Sequence, residues 1–407
     1  MGLNIVPLKD LCNDYKKDIV DGPFGANLKR EHYKDEGIPV LKIQNIKSFN
    51  ITLKKMDYVD EEKFYELRRH NYLSGDIVMT KLGNPLGESA IVEGIDEGLI
   101  VADLVRIRAQ KIDTKYLCYH LNSPVTSAYI NSQQKGTTRP RVRIAVVRDL
   151  PIYAPPIPEQ QRIVAILDQA FADIEKARAN AEKNLKNARE LFDSYLNQVF
   201  SQRGEGWVET PLGELFDVRD GTHDSPSYQE SGFPLVTSKN LINGQISLEK
   251  VKYISTTDFE KINKRSKVDI GDVLLAMIGT IGNPVVVTQK PSYAIKNVAL
   301  IKGMPSQNSS FLKYFLESPF TVTKMLAEAK GTTQKFVGLG YLRAFPFYAP
   351  SFIEQESIVA SLERLSEKVQ QLEKGYQEKL DSLDELKKSL LQKAFSGELT
   401  KTEGQAA

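Results

Sequence analysis

The run Lys135-Gly136-Thr137-Thr138-Arg139-Pro140-Arg141-Val142-Arg143, followed by Arg148, places five cations within fourteen residues. Arginine presents a planar fork suited to phosphate oxygens or to the O6/N7 edge of guanine, whereas glutamine and asparagine suit adenine. A second segment, at a displacement of 195 positions, repeats the Gly-Thr-Thr as Gly331-Thr332-Thr333 and is flanked by Lys330, Gln334, Lys335 and Arg343. A charge run alone is usually a solvated loop. Here the frame recurs while the side chains differ, which is what two readers of different nucleic-acid sequences require.

The same comparison pairs Lys42-Ile43-Gln44-Asn45 with Thr237-Ser238-Lys239-Asn240, and Asp21-Gly22-Pro23-Phe24 with Asp220-Gly221-Thr222-His223. Candidate contacts to nucleic acid in the first half are therefore Asp21, Gly22, Lys42, Gln44, Asn45, Lys81, Lys135, Thr138, Arg139, Arg141 and Arg143. Those in the second half are Asp220, Thr222, His223, Ser238, Lys239, Asn240, Thr333, Gln334 and Lys335. Each also fits plain turn or strand-end chemistry, and a lone His223 reads most simply as a turn residue.

No catalytic constellation accompanies these loops. The histidines His32, His70, His120 and His223 are scattered, and neither a nucleophile elbow nor a GxxxxGK[ST] phosphate loop occurs. Gly22-Pro23-Phe24-Gly25 and Gly279-Thr280-Ile281-Gly282 lack the lysine or helix context of a phosphate cradle. The pairs Asn84-Pro85 and Asn283-Pro284 lack the second proline and aromatic residue of an amino-methyltransferase pocket. Cys12 and Cys118 form no metal-ligand spacing and read as two reduced core residues. The chain is thus expected to be non-catalytic, with no metal and no cofactor of its own.

Composition permits this without deciding it. At 407 residues, 41% hydrophobic and 26% charged, the chain is ordinary for a globular protein of two or three domains. A formal net charge of +2 can conceal basic faces offset by acidic helices. The absence of an apolar leader and of any membrane-length apolar run points to the cytoplasm. Val6 occupies the place where a myristoylation signal at Gly2 requires Ser or Thr.

The elements that must position these loops are themselves duplicated. Ile163, Leu167, Ala170, Ile174, Ala177, Ala181, Leu185, Ala188, Leu191 and Tyr195 recur as Ile358, Leu362, Leu365, Val369, Leu372, Tyr376, Leu380, Leu383, Leu386 and Leu390. Steps of three and four define two amphipathic helices, over 159–201 and 354–396, each seeking a partner helix. The first stripe is alanine-rich and the second leucine-rich, which favours pairing of one copy with the other in antiparallel fashion. Before each helix lies a mixed region of short strands, such as Gly75-Asp76-Ile77-Val78-Met79 and Gly271-Asp272-Val273-Leu274-Leu275, with helices over 114–121 and 310–316. Proline-rich extended segments, Leu150-Pro151-Ile152-Tyr153-Ala154-Pro155-Pro156-Ile157-Pro158 and Phe345-Pro346-Phe347-Tyr348-Ala349-Pro350, lead into the helices.

The expected fold class is α+β (mixed α/β): two globular domains separated by two long antiparallel coiled-coil helices, with pseudo-twofold duplication. The segments are 1–157, 158–203, 204–352 and 353–398, with a flexible tail at 399–407. Helix pairing and subunit docking are assigned to Glu159, Gln160, Ile163, Leu167, Ile174 and Leu185, and to Glu354, Gln355, Ile358, Leu362, Val369 and Leu380.

Proline-rich segments running into Glu159-Gln160-Gln161-Arg162-Ile163-Val164 or Glu354-Gln355-Glu356-Ser357-Ile358-Val359, helix ends at Phe200-Ser201 and Ala394-Phe395-Ser396-Gly397, and the Asp-Gly-Thr-His stretch resemble the specificity subunit of type I restriction-modification systems. The likeness covers essentially the whole chain. It implies that each globular domain is a target-recognition domain for one half of a bipartite double-stranded DNA sequence and that the helices set the gap. It also implies two modification subunits carrying S-adenosylmethionine and two restriction subunits using ATP and Mg2+, with no membrane association. Pro350-Ser351-Phe352-Ile353 departs from Pro155-Pro156-Ile157-Pro158, so the two docking ends need not be equivalent. The competing reading is a coiled-coil protein–protein scaffold or adaptor without DNA specificity.

Overall fold

The computed structural model describes residues 4–136, 138–331 and 335–399. The chain divides into two compact units, residues 1–181 with 378–407 and residues 182–377. The first unit is made of two separate stretches of sequence and the second of one, because the division falls inside both long helices. Those helices run over Ile157–Gln202 and Phe352–Phe395. The first begins at Ile157, with Pro158 in its opening turn, where a missing amide costs no intrahelical hydrogen bond. The described part of the expected tail is Leu399 alone; residues 400–407 lie outside the described residues.

In the first unit the strands form two four-stranded sheets and two two-stranded ones. One four-stranded sheet is antiparallel throughout, in the order Ile19–Asp21, Leu104–Ile107, Ile77–Thr80, Ser89–Ile91. The other contains the parallel pair Ile38–Leu41 and Glu97–Ile100. The second unit repeats this plan with Val218–Asp220, Val298–Ile301, Val273–Ala276 and Gly282–Val286, and with a three-stranded sheet around the parallel pair Phe233–Val236 and Ala294–Ile295. The strand Asn71–Leu73 has no counterpart there: the residues that follow the helix Thr256–Ser266, up to Asp269, form no strand. The proline-rich lead-ins are short strands: Pro151–Tyr153 pairs with Ile5–Pro7, and Pro346–Ala349 with Val208–Pro211.

Several helices inside the units begin at a side-chain cap. Asp113 accepts from the Tyr116 amide ahead of Thr114–Leu121, and Asn308 from the Ser310 and Phe311 amides ahead of Ser309–Glu317. Each core then closes on both long helices. In the first unit Ile163, Leu167, Phe171 and Ile174 pack with Leu391, Ala394 and Phe395. In the second, Leu196 and Phe200 pack with Val359 and Leu362.

Within each unit the helix segments are antiparallel. Glu175 pairs with Lys387 at 3.1 Å and Arg178 with Asp384 in the first, and Arg189 pairs with Glu373 at 2.7 Å in the second. Such exposed ion pairs add little stability, but they report register. Ala181, Ala188, Val369 and Leu380 are buried, while Leu185 and Ile358 are half-buried. The apolar stripe is not wholly covered: Leu191, Tyr195, Leu372 and Leu386 are exposed.

Candidate nucleic-acid interface

The basic loop of the first unit is a two-armed hook pinned to the end of a strand. Lys135 and Arg141 exchange both backbone hydrogen bonds, at 2.9 and 3.0 Å, and the Val142 amide donates to the Lys81 carbonyl at 3.0 Å. The second unit builds the same hook from Lys330 and Phe336, with the Val337 amide donating to the Met277 carbonyl at 2.9 Å. The frame is therefore common to both units and its side chains are not. Lys135, Thr138, Arg139, Arg141, Arg143 and Lys335 are all exposed, whereas Thr333 and Gln334 lie outside the described residues.

Beside the first hook is a cleft of about 1010 Å3 whose lining includes Asp21, Phe24, Arg69, Lys81, Lys135, Arg141, Arg143 and Arg148. Asp21 accepts from the Lys81 ammonium at 2.7 Å, an ion pair largely withdrawn from solvent. Pairing of this kind matches the solvation that burial removes and fixes the lysine nitrogen at the cleft wall. Arg148 donates to the Ile19 carbonyl at 2.9 Å and lies over the Tyr15 ring, so it is tied to the fold rather than free to reach a ligand. Arg343 repeats that tie to the Val218 carbonyl.

The second unit carries a smaller cleft of about 400 Å3, lined by Tyr228, Ser238, Lys239, Lys250, Lys252, Lys296 and Asn297 among others. Its cations are lysines where the first cleft is mostly arginine. Tyr228 is exposed, and the Lys252 ammonium lies 4.0 Å from its ring centre. His223 stands at the edge of this region, its Nδ1 2.9 Å from Asn297 Oδ1 and its Nε2 2.7 Å from Asp220 Oδ2. Asp220 is buried and also accepts from Arg265. Thr222 lines a neighbouring groove, and its hydroxyl accepts from the Asp224 amide.

Several residues that the sequence nominates as readers turn out to hold the fold. Asn45 is fully buried: its Oδ1 accepts from the Lys42 amide at 2.9 Å and its amide group donates to the Thr52 carbonyl at 3.0 Å. Asn240 does the same with the Thr237 amide and the Ser247 carbonyl. Both clamp a tight turn through the short reach of an asparagine side chain, which leaves nothing for a base. Gly22 and Gly221 are backbone contacts, since an added Cβ would lie 2.1 Å from the Val101 carbonyl carbon or 2.3 Å from the Ile295 oxygen. Lys42 pairs with Asp57 at 2.5 Å and covers Tyr33, outside the cleft, and exposed Gln44 donates to the Lys55 carbonyl at 3.4 Å. Ser238 donates to the Asn297 carbonyl at 3.2 Å, while Lys239 stays exposed on the cleft wall.

The docking assignment needs the same correction at the helix starts. Gln160 is 2% exposed, accepts from the Asp113 amide at 2.8 Å and donates to the Pro155 carbonyl at 2.7 Å. Gln355 repeats both contacts with the Asn308 amide and the Pro350 carbonyl. These glutamines lock the long helices to the globular parts and present nothing to a partner chain. Ile163, Leu167, Ile174 and Leu362 are likewise buried in the cores. Glu159 is half-buried, and Glu354 is exposed, accepting from the Trp207 indole at 3.4 Å.

Residues the sequence did not nominate include Phe24, Arg69, Phe336, Lys250, Lys252 and Lys296. Only Phe24 carried a signal, as the fourth residue of the repeated Asp-Gly stretch. Among the described residues no cluster of histidine, cysteine and carboxylate side chains could hold a metal ion. Burial pushes the Cys12 and Cys118 thiols up to about 12, so both stay protonated. No helix among the described residues is long and apolar enough to cross a membrane.

The family model of the type I restriction modification DNA specificity domain matches this chain twice, over residues 4–183 and 204–382. The chain belongs to that family. Each match contains one globular region and the first part of the long helix that follows it. The EcoBI specificity subunit of Escherichia coli is 24% identical over 325 residues, covering 73% of this chain and 68% of the relative. The EcoKI specificity subunit of Escherichia coli strain K12 is 22% identical over 406 residues, covering 92% and 86%. Among solved structures, the HsdS subunit from Thermoanaerobacter tengcongensis superposes with a TM-score of 0.60 at 21% identity over 98% and 97% of the two chains. A chain from a structure describing complex assembly and conformational transition of the type I R-M system reaches 0.75, also at 21% identity, over 98% of both. Members of this DNA specificity family act in target recognition, and this chain is a specificity subunit rather than a catalytic one.

Proposed function

We propose that the two clefts read the two halves of a bipartite DNA target and that the paired long helices set the gap between them. The observation supporting this is the hook-and-cleft frame, built twice from the same backbone contacts and lined by cations, with different side chains at its tips. Lysines and arginines supply affinity through phosphates, and the tips supply discrimination through base edges. On this reading the chain works in the cytoplasm with two modification subunits and two restriction subunits. S-adenosylmethionine, ATP and Mg2+ are bound by those partners and none by this chain. With Gln160 and Gln355 committed internally, docking falls to the uncovered part of the helix stripe, at Leu191, Tyr195, Leu372 and Leu386.

The test is methylation mapping of the assembled complex. Exchanging residues 1–150 for the corresponding region of a relative changes one half-site and leaves the gap alone; alteration of both halves refutes the division of labour. Removing seven residues from each long helix changes the permitted gap or abolishes methylation, and an unchanged gap refutes the spacer role. A protein–protein scaffold predicts instead that no salt-sensitive retardation of duplex DNA occurs.

A further inference from the structure

An isolated exposed phenylalanine is commonplace on a protein surface. Phe24 is not isolated: it is 60% exposed on the wall of the cleft that also contains Lys81, Lys135, Arg141 and Arg143. The Lys81 ammonium lies 4.6 Å from its ring centre and is itself held by Asp21, so ring and charge are fixed together. In the second unit the position of Phe24 is taken by His223, anchored on Asp220 and Asn297. The position of Arg141 is taken by Phe336, which is 41% exposed and bridged to Ile278. Ile278 and Asn297 line one cleft, and Phe336 and His223 are each bonded to one of these two lining residues. Each unit thus exposes one phenyl ring at or next to a cation-lined cleft, and the ring sits on opposite elements in the two units.

We propose that Phe24 and Phe336 are the apolar base readers of the two half-sites, each packing against the 5-methyl group of a thymine in the major groove, with Arg141 supplying hydrogen bonds beside Phe24. This rests on the reading that the clefts bind DNA. A phenyl ring neither donates nor accepts a conventional hydrogen bond, and the feature of a base edge that an apolar group can select is the thymine methyl. The surrounding cations would hold flanking phosphates and set the register without reading sequence.

The experiment uses the full chain assembled with modification subunits, on the duplex identified by methylation mapping. Each thymine is replaced in turn by deoxyuridine, which removes the methyl and leaves the hydrogen-bonding edge intact. In the unsubstituted protein one replacement in each half-site weakens binding about fourfold, the worth of one buried methyl group. Phe24→Ala removes that sensitivity in one half-site only and Phe336→Ala in the other, while Arg141→Ala preserves it. The inference is overturned if neither half-site has a methyl-sensitive thymine, or if the alanine variants keep the sensitivity, although sequence-specific binding would still support the DNA reading. If the complex shows no sequence preference at all, the DNA reading fails and this inference falls with it.

Discussion

The two units receive the end of a long helix at the same place with different chemistry. In the first, Phe395 enters between Tyr116 and His120, with ring centres 5.3 and 4.6 Å away. In the second, Phe200 enters between Phe311 and Phe315 at 5.3 and 5.6 Å. The polar pair is accommodated because its handles are bonded to backbone and a hydroxyl. The Tyr116 hydroxyl donates to the Tyr153 carbonyl, His120 Nε2 accepts from the Tyr153 amide, and His120 Nδ1 faces the Thr126 hydroxyl at 3.0 Å. One socket is therefore conditional on protonation and the other is purely apolar. The clefts show the same economy, with one backbone frame and two sets of tips. Duplication here preserved geometry and released side-chain identity.

The comparison can be broken most forcefully at the sockets. Phe395→Ala is expected to destabilise the first unit by about 3–5 kcal/mol and Phe200→Ala the second by a similar amount. Hydrogen exchange on the strands Leu104–Ile107 and Val298–Ile301 would separate them, and equal loss of protection in both units from one variant would contradict independent closure.

Acid comes next. Burial brings His120 down to about 4 from its ordinary value of 6.5, so the folded unit keeps a neutral ring where the unfolded chain takes up a proton. Its contribution is fully present above pH 6.5 and is lost as pH falls towards 4, about 3 kcal/mol in all. The second unit, with Phe315 at that position, lacks this term, and His120→Phe should remove it from the first, as read by unit-resolved exchange across that range.

Gln160→Ala and Gln355→Ala should each cost about 1–3 kcal/mol by leaving a buried amide and carbonyl unpaired. Thermal unfolding would measure this, and a neutral outcome at either site would show that the lock is redundant there. The smallest structural effect belongs to Arg139→Ala with Arg141→Ala, expected to shift stability by less than about 0.5 kcal/mol. The slope of log affinity against log salt should nevertheless flatten by about 0.9 for each lost phosphate contact. An unchanged slope would remove the hook from the interface.

The long helices were legible because their periodicity is local and extends over many turns. The structure starts them at Ile157 and Phe352, each two residues before the expected 159 and 354. The helix Thr114–Leu121 has the bounds read from its sequence. The site was legible only as a frame. Asn45 and Asn240 looked like adenine readers because asparagine's chemistry is the same whether it caps a turn or meets a base, and burial alone separates the two. Arg69, Lys250 and Lys296 were not visible as cleft residues, since nothing in their neighbouring sequence encodes which strands converge beside them. Phe336 was hidden for a further reason: its counterpart is Arg141, so type comparison between the copies pointed away from it.

The closure of each core on both long helices also sets an order of completion during synthesis. The second unit contains Leu196 and Phe200, already made when its own globular part emerges, and needs nothing beyond residue 377. The first unit must wait for Leu391, Ala394 and Phe395. At ribosomal rates of about 5–20 residues per second, the 195 positions separating Phe200 from Phe395 represent roughly 10–40 s. The part of the chain that leaves the ribosome first is thus the last to be finished, and until then its socket around Tyr116 and His120 stands open to any other aromatic helix end within reach.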